Sequence, residues 1–410
     1  MSRKSSFPLL VDHPEVCYLD SAATAQKPSC VLDAVDTYLR HELATIHRGT
    51  YGLALRSEDR YRKSKELLAT SMGVLPHEIL YTAHSTAASN LLAGSVAGTF
   101  SWPAGSTILM SIAEHHASIV PWQQLAQRYG WIIDWVDLDE TFDVSMQSLQ
   151  DKCHPGVKAV LCTAVSNVTG KHHSIATIGS LVKRLVPDAL FVVDASQYLP
   201  HAIPHIPDRS CDAMFFTGHK LGALTGIGVL WLREGLAQTL HPHYRGGGAV
   251  HTVGMHETTF QGIPDKFEPG TPHMVGVVSL VAAWSFLQEI QANGALYDHE
   301  QRLMRLFLDE TQQLRAAGLM HLVGWTDDLE SDLASHIGLF SWGVPAAYNP
   351  FMVGQVLADQ GVALRVGAHC AHPFHEYAGW GPTCRVSFWA STDEDDVRYL
   401  CACLRRYFGV

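Results

Sequence analysis

The sequence predicts an α/β protein, with a large domain on a mainly parallel sheet and a smaller α+β domain after it. Six short apolar runs in the middle of the chain are continuous rather than alternating, and helix-like stretches separate several of them. The last third then changes to longer helical patterns. A strand covered on both faces has no solvent side, so it reads as uninterrupted apolar sequence.

The runs are TILMSI (107–112), WIIDWV (131–136), KAVLCT (158–163), ALFVVD (189–194), AMFFT (213–217) and GVLWL (228–232). SIVPWQQLAQRYG (118–130) and ATIGSLVKRLV (176–186) predict the crossover helices of βαβ units. EILYT (78–82) is a further apolar stretch before a helical pattern. Beyond it, 275–292 predicts one long helix and 297–318 another, stopped by Gly318. HIGLFSW (336–342) reads as a strand and 350–361 as a helix. The closing helix, 393–408, has the acidic start and basic end that suit the helix dipole. The expected division is 18–285 for the large domain and 286–410, joined by 1–17, for the small one.

A chain of 410 residues can bury a large core without disulfides. Its net charge of −11 argues against a nucleic-acid binder, which shows a basic face. Nine scattered cysteines, with no CxxC, suit a reduced, cytoplasmic protein. The start, MSRKSSFPLLVDHPEV, is not expected to be a signal peptide. No run of 18 apolar residues predicts a membrane span. The 24 histidines show no HExxH or comparable ligand spacing, so no metal site is expected.

Ligands of open α/β sheets sit at the carboxyl ends of strands. Asp194 ends one strand and leads into Ser196 and Gln197. Thr217-Gly218-His219-Lys220 comes directly after another, before a glycine-containing turn (221–228). Ser85 and Thr86 open a helical pattern, and a helix start is a ready anion site. A lysine among small residues past a strand end suits a Schiff base with an aldehyde cofactor, provided desolvation keeps part of the amine neutral. A carboxylate on a neighbouring strand would hold a pyridinium proton, as an Asp beside pyridoxal 5′-phosphate does. Taken singly, these are also a solvated loop lysine, a turn or cap aspartate and an N-cap. Their joint occurrence carries the weight.

The chain resembles the cysteine desulfurases of the class-V aminotransferase family, pyridoxal-phosphate enzymes of fold type I. It is most similar to the group that includes the sulfur-mobilisation desulfurases and cysteine sulfinate desulfinase. The resemblance runs from about Tyr18 to the C-terminus. It rests on YLDSAATAQKPS (18–29), IHRGTYG (46–52), AEHHASIVPWQ (113–123), SNVTG (166–170), VVDASQ (192–197), TGHKLGALTGIGVL (217–230), GGG (246–248), FEPGTP (267–272), RVGAHCAHP (365–373) and CRVSFWAST (384–392).

By that resemblance, Lys220 would carry pyridoxal 5′-phosphate, Asp194 would pair with its ring nitrogen and Gln197 with its ring oxygen. Ser85, Thr86, Thr217 and His219 would hold the phosphate, with Thr271 reaching it from the second subunit of a homodimer. His116 would stack on the ring and move protons. Asn167 and Arg385 would clamp the substrate carboxylate, completed by the backbone of Ala23 and supported by Arg365. His47 and Arg48 resemble a motif at the rim. Cys370 would be the nucleophile that takes sulfur from L-cysteine, leaves L-alanine and passes its persulfide sulfur to an acceptor protein. Iron–sulfur cluster assembly, modified nucleosides or a specialised metabolite would be the destination.

Several family positions differ. Arg-Gly-Thr-Thr-Glu is Ala83–Ala87 here, Tyr-Gly-Pro is Gly222–Leu224, Tyr-Asn-Thr is Ala390–Thr392, and the usual His or Gln two before the nucleophile is Ala368. The losses leave open a selenocysteine lyase, a cysteine sulfinate desulfinase, another reaction of the family, or a non-catalytic scaffold of a sulfur pathway. Retention of Cys370 favours sulfur transfer.

Overall fold

The computed structural model describes residues 3–47, 49–206 and 210–410. A seven-stranded sheet forms from β1 (Ile79–Thr82), β2 (Thr107–Ser111), β3 (Ile132–Val136), β4 (Val157–Thr163), β5 (Leu190–Asp194), β6 (Ala213–Thr217) and β7 (Gly228–Leu232), in the order β1-β7-β6-β5-β4-β2-β3. Only β7 runs antiparallel to its neighbours. The six runs expected to be strands are these strands, to within a residue.

Successive side chains on a strand point to opposite faces. Phe216, Val193 and Val160 therefore enter one buried cluster, and Phe215, Val192 and Leu161 enter the other. The edge strand β3 is the exception to full burial, with Ile132 half exposed.

Helices α1 (Ser29–His41), α2 (Gly52–Met72), α3 (Ser85–Thr99), α4 (His116–Tyr129), α5 (Ile175–Leu185) and α6 (Met274–Gln291) surround the sheet. Helices α1 and α2 both pack along α6. Helix α6 leads through a kink at Asn293 into α7 (Ala295–Glu310). Together they are long and apolar enough to cross a membrane by length and composition. Val277, Leu280, Ala283, Trp284 and Leu287 of α6 are instead fully buried in the protein core.

A four-stranded sheet closes the chain, in the order β8-β9-β11-β10, from β8 (His321–Leu322), β9 (Leu339–Gly343), β10 (Arg365–Gly367) and β11 (Thr383–Ser387). Against it lie α7, α8 (Pro350–Asp359) and α9 (Glu394–Phe408), around Phe307, Phe340, Trp342, Val386 and Leu404. The N-terminal segment bridges both cores. Cys17 pairs with Val362 and lies in the smaller core with Leu19, while Phe7 packs edge-on against Phe286 and Trp389 in the larger one.

The expected helix 297–318 is two helices. Thr311 turns its hydroxyl back onto the Phe307 carbonyl at 2.6 Å and leaves helical geometry, so a short helix, Gln312–Ala316, starts afresh before Gly318. The last helix begins with a reciprocal capping box between Asp393 and Asp396.

Trp284 ties the layers together: its ring lies 5.8 Å from that of Phe216 and its Nε1 donates to Ser71 at 3.0 Å. Trp284→Ala is expected to cost about 3–5 kcal/mol. That loss would be read as a lower denaturant midpoint with an unchanged slope; an unchanged midpoint would contradict the packing role.

Candidate active site

Parallel strands all finish on one edge of a sheet, so the residues just past their ends converge. Ser85 after β1, His115 after β2, Asn167 after β4, Asp194 at the end of β5, and Thr217, His219 and Lys220 at and after β6 line one cavity of about 370 Å³. The smaller sheet closes it with Arg365, His369, Cys370 and Arg385. Gly228 makes the convergence possible. A side chain there would stand 2.7 Å from the backbone of His84, so only glycine lets the start of α3 lie this close to β7.

Asp194 is buried, and burial pushes its carboxyl up. The Ser196 amide at 2.8 Å, the charge of Lys220 and the Ser118 hydroxyl at 3.4 Å oppose that. Glu114 is wholly buried too; burial and repulsion from Asp194 push it up to about 8, so it is neutral near pH 7.

Lys220 stands on a short 3-10 helix, Gly218–Leu221, with its amine 3.1 Å from Gln197 Oε1. Burial, and then the charges of Arg385 and Arg365, lower it to about 8; Asp194 and Cys370 pull the other way. Lys27 donates to the carbonyls of Ala25 at 2.6 Å and His219 at 3.3 Å, tying the 18–29 segment to this turn.

Ser85 and Thr86 occupy the first turn of α3, capped by His84 Nδ1, which accepts from the Ala87 amide. Thr217 Oγ1 and His219 Nδ1 are buried with no partner. Buried polar groups are normally satisfied, so these two face a position for a ligand acceptor or donor.

Arg385, on β11, donates through Nη1 to the Asn167 carbonyl at 2.9 Å, and its Nη2 lies 3.4 Å from Asp20. Its Nε is buried without a partner. Arg365 is its cross-strand neighbour and is exposed at the cavity wall.

Cys370 lies half-buried in the loop after β10, and both it and His369 adopt left-handed backbone, φ 58° and 50°. Neither is glycine, so the conformation costs energy and must be held from outside. Asn167 Nδ2 donates to the His369 carbonyl at 2.6 Å and the His116 amide to the Cys370 carbonyl at 2.9 Å.

Most expected site residues come together; His116, Thr271 and His47 do not line the cavity, and Ala23 lines it with its amide already used. His116 does not line the cavity; His115 does. The pair stands at the start of α4, where His115 is the N-cap and turns inward, its Nδ1 accepting from the Ala117 amide at 3.0 Å. Ala23 lines the wall, but its amide is already donated to the Asp20 carbonyl at 3.0 Å, so it is not free to bind a carboxylate. Thr271 is exposed and does not line the cavity of its own chain. His47 also stays outside the wall, 3.4 Å from Glu58, and Arg48 lies outside the described residues.

Sequence reasoning gives no role to Thr225, Gly226, His84 or Glu114, although the first two stand in the glycine turn after β6 and Glu114 precedes the paired histidines. Among the described residues, no three His, Cys, Asp or Glu side chains are arranged to hold a metal.

The profile of the aminotransferase class-V family matches residues 17–400. The chain belongs to this family. It is 34% identical to a probable cysteine desulfurase of Xylella fastidiosa (strain 9a5c), over 98% of this chain and 94% of that protein. It is 33% identical to a cysteine desulfurase of Cronobacter sakazakii, over 98% and 97%. Among solved structures, the apo cysteine desulfurase of Thermococcus onnurineus NA1 superposes with a TM-score of 0.91 at 28% identity, over 99% and 98% of the two chains. Two of the positions that differ from the expected motifs have local roles. His84 supplies a helix cap, and Gly222, at φ 90°, ends the 3-10 helix where a side chain would press on Pro28 and Trp389.

With no aldehyde bound, labelling of Lys220 by an amine reagent is expected to rise with pH with a midpoint near 8, since only the neutral amine reacts. Site-resolved mass spectrometry reads it, and a midpoint near the ordinary lysine value of 10.5 would contradict the electrostatics described.

Proposed function

We propose that the chain is a cysteine desulfurase that uses pyridoxal 5′-phosphate, converts L-cysteine to L-alanine and holds the sulfur as a persulfide on Cys370. The supporting observation is a set of unmatched groups in one cavity. A buried carboxylate, Asp194, faces it, as do Thr217 Oγ1 and His219 Nδ1, which lack partners beside the start of α3. The Lys220 amine and the Cys370 thiol face the same space. A protonated ring nitrogen, a phosphate and an aldehyde on one molecule would answer each in turn, so the residues fit the cofactor.

When bound, the cofactor supplies the electron sink that lets the α-proton of an amino acid leave. Lys220 would hold the aldehyde until the substrate amine displaces it, and the freed, partly neutral amine would take and return the proton at Cα. Asp194 would hold a proton on the ring nitrogen, and Gln197 would bond the ring oxygen. Ser85, Thr86, Thr217 and His219 hold the phosphate, joined by Thr271 from a second copy in a homodimer. His115 takes the stacking place. Burial lowers its pKa to about 3, so it is a neutral ring whose Nδ1 is an acceptor and whose Nε2 carries the proton.

Arg385 receives the substrate carboxylate through its unpartnered Nε, with Asn167 fixing the guanidinium and Arg365 beside it. The Cys370 thiolate attacks the substrate sulfur. An S–S bond forms as the Cβ–S bond breaks, and the electron pair passes to the carbon side, where protonation completes L-alanine. The sulfur then moves to an acceptor protein. Nine free cysteines support a reducing, cytoplasmic setting. Residues 18–285 form the cofactor-binding part, and 286–410 with 1–17 the part that presents Cys370.

The second guanidinium on the cavity wall, Arg365, favours cysteine sulfinate as the neighbouring substrate to compare, alongside selenocysteine.

Purified protein supplied with the cofactor is expected to show a band at roughly 400–430 nm and to form one persulfide per chain with L-cysteine. Cys370→Ala should abolish the persulfide and Lys220→Ala should stop multiple turnovers. A colourless protein, or persulfide and alanine release undiminished in Cys370→Ala, would overturn the proposal.

A further inference from the structure

We propose that His116 is a positioning residue that holds the Cys370 loop in place through two hydrogen bonds, one at Cys370 and one just beyond it. The consequence for sulfur chemistry rests on the function proposed above; the latch itself rests on geometry. The backbone amide of His116 donates to the Cys370 carbonyl at 2.9 Å. Its Nε2 accepts from the backbone amide of His372 at 3.2 Å. The His372 ring stacks on it, centroids 5.0 Å apart and planes 12° apart, with Nδ1 3.1 Å from the same Nε2.

Both donors stand at helix starts, where no helical carbonyl can receive them. His116 is the first residue of α4, and His372 the first of the short helix His372–Tyr377. One residue thus satisfies the first amide of each helix, and the join falls on the left-handed pair His369 and Cys370. Asn167 pins the loop at His369, so His116 is the anchor on the thiol's other flank.

The Nε2 lone pair faces the His372 amide, so the working ring is neutral with its proton on Nδ1. The groups that face it are His372 and Cys370 from the loop and His115 on its own helix, with Arg128 and His243 in the adjoining cleft. None of these is a carboxylate, and burial with the neighbouring His372 lowers the pKa of His116. Protonation would turn the acceptor into a donor and strip the His372 amide of its partner. His116 does not line the cofactor cavity, so its influence falls on the placement of the thiol and not on proton transfer at the substrate.

The test uses the holoenzyme with His116→Ala and with His116→Gln, whose Oε1 reaches about as far as Nε2. Three readouts are needed: single-turnover persulfide formation on Cys370, α-proton exchange of L-alanine in heavy water, which needs no thiol, and backbone amide exchange at His372. In His116→Ala, persulfide formation should fall about tenfold or more, with α-proton exchange changed less than about twofold and the His372 amide exchanging faster. His116→Gln should recover most of both losses. The ratio of wild-type to His116→Gln persulfide rates should fall at a pH below the ordinary imidazole range, because burial lowers the His116 pKa and glutamine does not titrate.

Persulfide formation or amide exchange unchanged in His116→Ala, a parallel fall in α-proton exchange, or a pH-independent ratio would overturn the latch. A wild-type protein that takes up no cofactor would sink the proposed function instead, and amide exchange would still judge the latch.

Discussion

Lys220 lies buried within reach of two guanidiniums, Arg365 and Arg385, with Asp194 and Cys370 as the opposing groups. Burial disfavours the charged amine first, and the two arginines add to it. Much of the site serves to keep this balance. Burial pushes the Asp194 carboxyl up, and the Ser196 amide and the lysine itself oppose that by favouring its charged form. Glu114 cannot add a second negative charge beside it, because burial and Asp194 together keep that acid protonated near pH 7. Two neighbouring buried carboxyls are thus set apart by what solvates each: Asp194 has an amide and a lysine to favour its charge, and Glu114 has Asp194 against it.

Arg385 shows the same constraint from the substrate side. Burial is the main reason its pKa falls to about 10, and at neutral pH it is still a cation. Its fork is only partly satisfied: Asn167 and Asp20 take the two Nη atoms and Nε has no partner. An unsatisfied buried donor costs about 1–3 kcal/mol. That cost is offset once a carboxylate arrives, so the guanidinium is oriented for an anion before one binds.

The sheet was legible in the sequence because both its faces are covered. Phe215 and Phe216, adjacent and equally buried on opposite faces, are what makes a continuous apolar run mean a strand. Asp194, Thr217 and Lys220 were legible because parallel strands deliver their C-terminal residues to one edge. Helices α1 and α2 were not legible. Leu32, Leu39, Leu53 and Leu55 remain exposed on them, so neither carries a clean apolar stripe. The Thr311 break was hidden because a hydroxyl turned onto its own helix leaves the apolar spacing intact. The choice between His115 and His116 was beyond a motif, since adjacent residues at a helix start differ by about 100° in direction. Only the cap at His115 decides which one points inward. The role proposed for Thr271 would need a second copy, which the pattern of one chain does not contain.

The nucleophile loop draws its support from both parts of the chain. Two consecutive left-handed residues without glycine cost about 1–3 kcal/mol each. A typical hydrogen bond returns about 0.5–1.5 kcal/mol net. Bonds that hold the loop run from Asn167 to His369, from His116 to Cys370, from the His372 amide to His116 and from the Ala371 amide to the Ala368 carbonyl. The His369 ring adds a further bond to Thr383 Oγ1 at 2.9 Å, so the strained pair is held from several sides at once. Asn167 stands on the large sheet's edge and also fixes Arg385 through its carbonyl. The same residue thus links the Arg385 guanidinium to the Cys370 loop.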